Sequence, residues 1–290
     1  MPIYSSLKYK TSMKLEGFES LWYNNKMIEP GKIFHLSLNN DTFQKQYNLF
    51  KERVFNSINK TYLPVYRMSD GEFRFCLGKT TFKKKILSSL KVNNVYYGTC
   101  WGERYSKEEI KYAFPGFIGS LKEISKHGFL ALHFVTGTPL DKYRMYIEPI
   151  CNWFERNGIE LNEFNYISFY FVYALLSGKD SVELLHSKRI LIITSNSNDK
   201  FIGIEKILSS KYQSKILFYE ISPDKSLLEK INIKDIDPNI DIVLISAGIG
   251  SANIMSQLKE LKTVCLDTGI FLEMLVNNSL STSRLFLKNL

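Results

Sequence analysis

From Asp41 to Ile58 apolar side chains return every three or four positions, at Phe43, Tyr47, Phe50, Val54 and Ile58. That spacing predicts an amphipathic helix. The rhythm then changes. Leu63 to Tyr66 is a short apolar run, which predicts a strand over 63–68 that stops at a polar turn, Ser69-Asp70-Gly71-Glu72. A helix is expected from Lys83 to Leu90, and a short strand from Asn94 to Tyr97, ending at Gly98. Ser106-Lys-Glu-Glu109 has the form of a capping box and should open a helix toward Ala113. Phe129 to Phe134 predicts another strand. Pro149 suits the first turn of a helix ending at Asn157-Gly158, and the apolar run Ile167 to Leu176 reads as a buried helix.

The last third carries the plainest alternation. Strands are expected at Arg189–Thr194, Lys215–Tyr219, Asp241–Ser246 and Thr263–Leu266, with helices at Lys200–Leu208 and Ser251–Leu261. Apolar strands alternating with helices imply buried parallel β-structure. The fold class is therefore α/β, a Rossmann-like doubly wound, mostly parallel sheet. In such sheets ligands bind beyond the carboxyl ends of the strands. No internal repeat or low-complexity linker interrupts the pattern, and residues 1–40 show no clear period.

Composition narrows the class. A chain of 290 residues, 44% hydrophobic and 23% charged, has the make-up of a folded α/β protein with insertions. Its 20 Phe and 17 Tyr supply core and stacking surfaces. The net charge of +9 favours anionic partners, although the lysines are spread out and only Lys83-Lys84-Lys85 is a tight run. Cys76, Cys100, Cys151 and Cys265 lie far apart without a C-x-x-C, so no zinc knuckle or redox pair is indicated. His35, His127, His133 and His186 lack metal-ligand spacing, and His133 reads as a core or strand-end residue. The N-terminus lacks a signal-peptide apolar region, and no apolar stretch approaches the ~18 residues that span a bilayer. A cytoplasmic protein is expected. The tail from Leu280 to Leu290 mixes basic and apolar residues, which suits either peripheral contact with the inner face of a membrane or a docked helix.

Two stretches carry candidate chemistry. On an extended segment Asp70 and Glu72 would point the same way. Two such acids suit a hard divalent cation, Mn²⁺ or Mg²⁺, that also takes diphosphate oxygens. Gly71 would let a ligand approach the backbone, and Arg67 would pair with Glu72 or with phosphate. The plainer reading is a polar turn in which Asp70 caps the next helix. Gly248-Ile-Gly250-Ser-Ala-Asn253 follows a strand and opens a helix, with Asp267 ending the next strand. That context suits an NAD- or S-adenosylmethionine-binding loop, except that Asn253 replaces the third glycine. Tight helix–sheet packing is the structural alternative. Glu103, in Cys100-Trp-Gly-Glu103-Arg104, is a candidate catalytic base beside an indole that could stack on a sugar; a surface loop is the plainer reading. A nucleic-acid-binding α/β protein is a further class, but no helix-turn-helix or RRM signature occurs, so no nucleic-acid partner is expected.

Tyr66-Arg67-Met68-Ser69-Asp70-Gly71-Glu72-Phe73 resembles the R-F/Y-G/S-D-G-E signature of the GT-D fold glycosyltransferases, a bacterial group once classed as a domain of unknown function. Val95-Tyr-Tyr-Gly98 resembles their second strand, and Ile190 to Ser195 with Asn198 to Gly203 their nucleotide-side strand and loop. Asp241 to Gly248, continuing to Leu266-Asp267-Thr-Gly269, resembles their closing βαβ unit. The likeness spans roughly residues 60–275. It implies metal-dependent transfer of a sugar from a nucleotide sugar, typically UDP-linked, to a bacterial surface glycan or glycoprotein glycan. The resemblance places Asp70 and Glu72 on the metal. It places Arg67, Ser69, Gly71, Gly98, Ser195, Lys200, Gly248, Gly250 and Asp267 about the nucleotide sugar. Residues 1–60 would then be an N-terminal extension and helix packed on the core, and 61–290 the nucleotide-sugar-binding α/β domain. Three positions depart from the pattern: Ile270 stands where a histidine often follows D-x-G, Met68 where an aromatic is usual, and Ser69 where glycine is common.

Overall fold

The computed structural model describes residues 41–78, 81–82, 97–98, 103–133, 147–162, 164–169, 171–195 and 198–277. The expected helix from Lys83, the lysine run, strand residues 94–96, Cys100 and Trp101, His35, residues 1–40 and the tail from Leu280 lie outside the described residues.

Ten strands and nine α-helices are described. In chain order they are α1 (Asp41–Ser57), β1 (Leu63–Met68), α2 (Asp70–Cys76), β2 (Thr81–Phe82), β3 (Tyr97–Gly98), β4 (Arg104–Tyr105), α3 (Lys107–His127) and β5 (Phe129–Leu132). Then follow α4 (Ile147–Arg156), β6 (Tyr166–Ser168), α5 (Phe171–Ser177), α6 (Ser181–Leu185), β7 (Arg189–Thr194), α7 (Asn198–Tyr212) and β8 (Lys215–Glu220). The chain closes with β9 (Ile242–Ser246), α8 (Ser251–Gln257), β10 (Val264–Asp267) and α9 (Phe271–Val276). Seven strands form one sheet in the order β6-β5-β1-β10-β9-β7-β8, and every described pairing in it is parallel. The doubly wound expectation holds. All residues of β1, β5, β6 and β10 are buried, so both faces are covered, which is why these strands are mostly apolar, with Arg67, Ser168 and Asp267 placed toward their carboxyl ends. Two groups of helices supply the cover. α3 packs on α8. α1 and α5 meet through Tyr47, Phe50 and Phe171, α5 reaches α9 through Tyr173 and Phe271, and α9 packs on α7.

The local signals for α1, β1, β7, β8, β9 and β10 agree with the structure to within about two residues. Gly158, at φ +63°, ends α4 as expected. Four readings are corrected. Ile167–Leu176 is not one helix: its first residues belong to β6 at the sheet edge, paired with β5, and α5 begins at Phe171. An apolar run of that length reads alike as buried strand or buried helix, and only the neighbouring strand decides. The helix opened by Ser106 does have its capping box, but it runs 21 residues to His127, through Pro115. Proline removes one backbone bond there. Burial of Phe117, Leu121 and Ile124 against β1, β5 and α8 outweighs that loss. Gly98 does not end a strand of the main sheet. It sits in β3 of a separate antiparallel sheet, β2-β3-β4, opposite Arg104. The fourth correction concerns the Asp70 turn.

Candidate functional site

Because the main strands run the same way, their carboxyl ends share one edge. β1 delivers Arg67 and Ser69 there, β10 Asp267 to Gly269, β9 Ser246 to Gly248, and β7 Thr194 and Ser195.

Asp70-Gly71-Glu72 is not extended: it is the first turn of α2, with Ser69 as N-cap. Ser69 N–H donates to Glu72 Oε2 at 2.9 Å, the reach-back of a capping box. Asp70 is thus the first helical residue, one past the cap expected of it, and it pairs with Arg74 at 3.9 Å. On a helix, residues two apart point about 200° away from each other, so the two carboxylates do not face the same way. Among the described residues no group of three or more His, Cys, Asp or Glu is arranged to hold a metal. Asp70 and Glu72 therefore do not form a preassembled pair of cation ligands: Glu72 turns back onto Ser69 N–H, and Asp70 pairs with Arg74.

Behind α2 lies a buried polar cluster. Arg67 N–H donates to Asp267 Oδ2 at 3.2 Å, and its guanidinium donates from Nη1 to Thr268 O at 3.2 Å. The guanidinium carbon sits 4.1 Å from the Phe169 ring centre and 4.0 Å from that of Tyr173, two cation–π contacts that fix a charge 94% out of water. Its Nε has no hydrogen-bond partner among the described residues. Gly269, at φ +49°, passes so close that a Cβ there would meet Arg67 Nη2 at 2.4 Å. Burial pushes the Glu72 carboxyl up to about 7; the charge of Asp267 adds to this, while backbone N–H groups and Arg67 oppose it. Burial likewise raises Asp267 to about 6, against the pull of Arg67 and of the Gly269 and Arg67 N–H groups. His133, just past β5, donates its backbone N–H to Met68 O at 2.9 Å, and its ring stacks on Phe169. Its Nδ1 lies 3.1 Å from Ser69 Oγ.

Next to this cluster opens a cavity of about 250 Å³, lined by Glu103, Thr194, Ser195, Lys200, Ser226, Ser246, Gly248, Gly269 and Glu273 among others. It therefore brings together Glu103, Ser195, Lys200 and Gly248 of the sequence candidates. Asp70, Gly71, Glu72, Gly98 and Gly250 do not line it, and Arg67 and Asp267 reach it only through Gly269. Glu103 is buried; its Oε1 accepts from Tyr105 OH at 2.9 Å, Ser226 N–H at 3.2 Å and Ser226 Oγ–H. It is a fixed acceptor that ties β4 to the 3₁₀ turn Ser226–Leu228. Gly250 lets that turn approach: a Cβ there would meet Ser226 C and O at 2.4 Å. The Gly248-x-Gly250 loop is thus a packing device at its second glycine. Asp267 is buried and bonded to Arg67 and Gly269, which removes it from the role of an exposed ribose acceptor.

Sequence reasoning missed Ser226, Phe169, Tyr173, Thr268 and Glu273, and read His133 only as a core or strand-end position. Apart from Thr268, the middle position of Asp267-Thr-Gly269, none lies in a motif; each joins the site through chain folding. The strand-end placement of His133 was the one legible signal.

No protein-family model matches this chain, and no curated protein matches it. Among the described residues no helix is long and apolar enough to cross a membrane. The chain is similar to two solved structures of domain of unknown function 1792. One is a selenomethionine-substituted form, at 15% identity and TM-score 0.39, covering 77% of this chain and 82% of that one. The other, whose domain is described as having a distinct glycosyltransferase fold, is 14% identical, with TM-score 0.39 and the same coverage.

Proposed function

We propose that this chain is a glycosyltransferase that takes a sugar from a nucleotide-sugar donor, UDP-linked, to a bacterial surface glycan or glycoprotein glycan. The observation that carries the reading is the polar cavity at the carboxyl ends of β7, β9 and β10, the sheet edge at which β1 also ends before α2. Ligands of doubly wound sheets bind at that edge. Lys200 offers a cation to diphosphate, and the hydroxyls of Thr194, Ser195 and Ser246 offer hydrogen bonds to its ribose and phosphates. The signature-like run Arg67 to Glu72 supports the same reading. A divalent cation, Mn²⁺ or Mg²⁺, would be held through Asp70, since Glu72 is buried and turned back onto Ser69 N–H, and would offset the charge on the departing nucleoside diphosphate. Arg67 keeps Asp267 and the start of α2 in register with β10, through bonds that a substrate need not break.

The dinucleotide reading has less support, since Gly250 and Asp267 are committed to packing and to Arg67. The test is thermal shift with UDP, NAD⁺ and S-adenosylmethionine, with and without Mn²⁺, followed by UDP-sugar turnover. A ligand at ~100 times its Kd adds ~2.7 kcal/mol of stability. Stabilisation by UDP with Mn²⁺ alone supports the proposal; stabilisation by NAD⁺ or S-adenosylmethionine without a UDP effect overturns it.

A further inference from the structure

Lys200 and Glu273 face each other at the cavity. Lys200 lies in the first turn of α7 and Glu273 in the first turn of α9. The helices pack together, with a Cβ at Gly203 falling 3.2 Å from Val276, and Lys200 Nζ stands 3.5 Å from Glu273 Oε1. Lys200 is the one cationic side chain among the described residues that line the cavity, whereas Glu103 and Glu273 are both acids. The described wall therefore carries a net negative formal charge and its one cation is paired, a poor match for an anionic ligand. Both partners are nearly half exposed, at 45% and 49%. Ion pairs of that kind are weak and salt-screened, so an incoming anion exchanges the partner readily.

We propose that Glu273 holds Lys200 in reserve: the pair closes in the unliganded protein, and the diphosphate of the donor takes the Lys200 ammonium from it. Glu273 is then a residue that sets the affinity and salt dependence of the cavity for diphosphate. This inference rests on the reading of the cavity as a nucleotide-sugar site. It goes further by making an acid the gatekeeper of an anion site, and it predicts that removing that acid strengthens binding.

The test is calorimetric titration of UDP and of inorganic pyrophosphate, with and without Mn²⁺, into wild type, Glu273→Gln, Lys200→Gln and the double variant, at low and moderate salt. Removing the competing carboxylate should tighten both ligands about three- to five-fold, the equivalent of a weak exposed ion pair. Lys200→Gln should weaken both by ~10-fold, the loss of one charge-assisted contact. In the Lys200→Gln background the gain from Glu273→Gln should fall below about two-fold, since no pair remains to be released. If wild type binds UDP but Glu273→Gln binds no tighter, the reserve role is overturned and the cavity reading stands. An equal gain in both backgrounds also overturns it, because Glu273 would then only repel anions. If well-folded proteins bind neither ligand, the cavity reading fails and this inference fails with it.

Discussion

Glu72 carries a carboxylate into a buried site whose nearest acid, Asp267, is also buried, and Arg67 offsets only part of that burden. Replacing it by Gln keeps an oxygen that can accept from Ser69 N–H and removes the charge. The Glu72 carboxyl rises from 4.5 to about 7 on folding. Between those values the folded state binds more protons than the unfolded state, so stability falls as pH rises through this window and levels off above it. A rise of two to three pH units corresponds to ~3 kcal/mol of stability lost by pH 8. Asp267, raised from 3.8 to about 6, adds a slope of the same sign over a lower window. Glu72→Gln should therefore melt within a degree or two of wild type near pH 5 and ~5–10 °C above it near pH 8, in EDTA. Circular dichroism melts across that range provide the assay. A variant that melts below wild type at pH 8, or that keeps the full wild-type slope, would refute the electrostatic account of this cluster.

Asp70→Asn should fold with a near-native melting temperature, since its partner Arg74 is a half-exposed pair worth under ~1 kcal/mol, yet lose the Mn²⁺-dependent part of the UDP thermal shift. Retention of that shift removes Asp70 from the cation. Gly250→Ala sets a Cβ 2.4 Å from the Ser226 backbone and should cost ~1–3 kcal/mol, read by chemical denaturation; an unchanged midpoint would show that the 3₁₀ turn yields freely. A chain ending at Asn278 should pellet less with anionic liposomes than the full chain if the tail lies on a membrane, and equal pelleting ends that idea.

Much of the architecture is written locally. The three- and four-residue return of Tyr47, Phe50 and Val54, and the apolar runs of β1, β7, β9 and β10, each announce an element because burial on one or both faces imposes a period that a short window carries. The capping box at Ser106 is equally local, being a contact between residues three apart. The strand order, with β10 placed beside β1, is not written locally, and neither is the split of Ile167–Leu176 into strand and helix. The same separation governs the site. Arg67 meets Asp267 across 200 positions, and Lys200 meets Glu273 across 73. Asp70 and Glu72 adjoin in sequence, but the helix that starts at Asp70 turns them apart. A sequence records which groups are available and which periods they keep. Which of them become neighbours is decided when parallel strands, joined by long crossovers, bring their carboxyl ends to one edge, and no short stretch of chain contains that information.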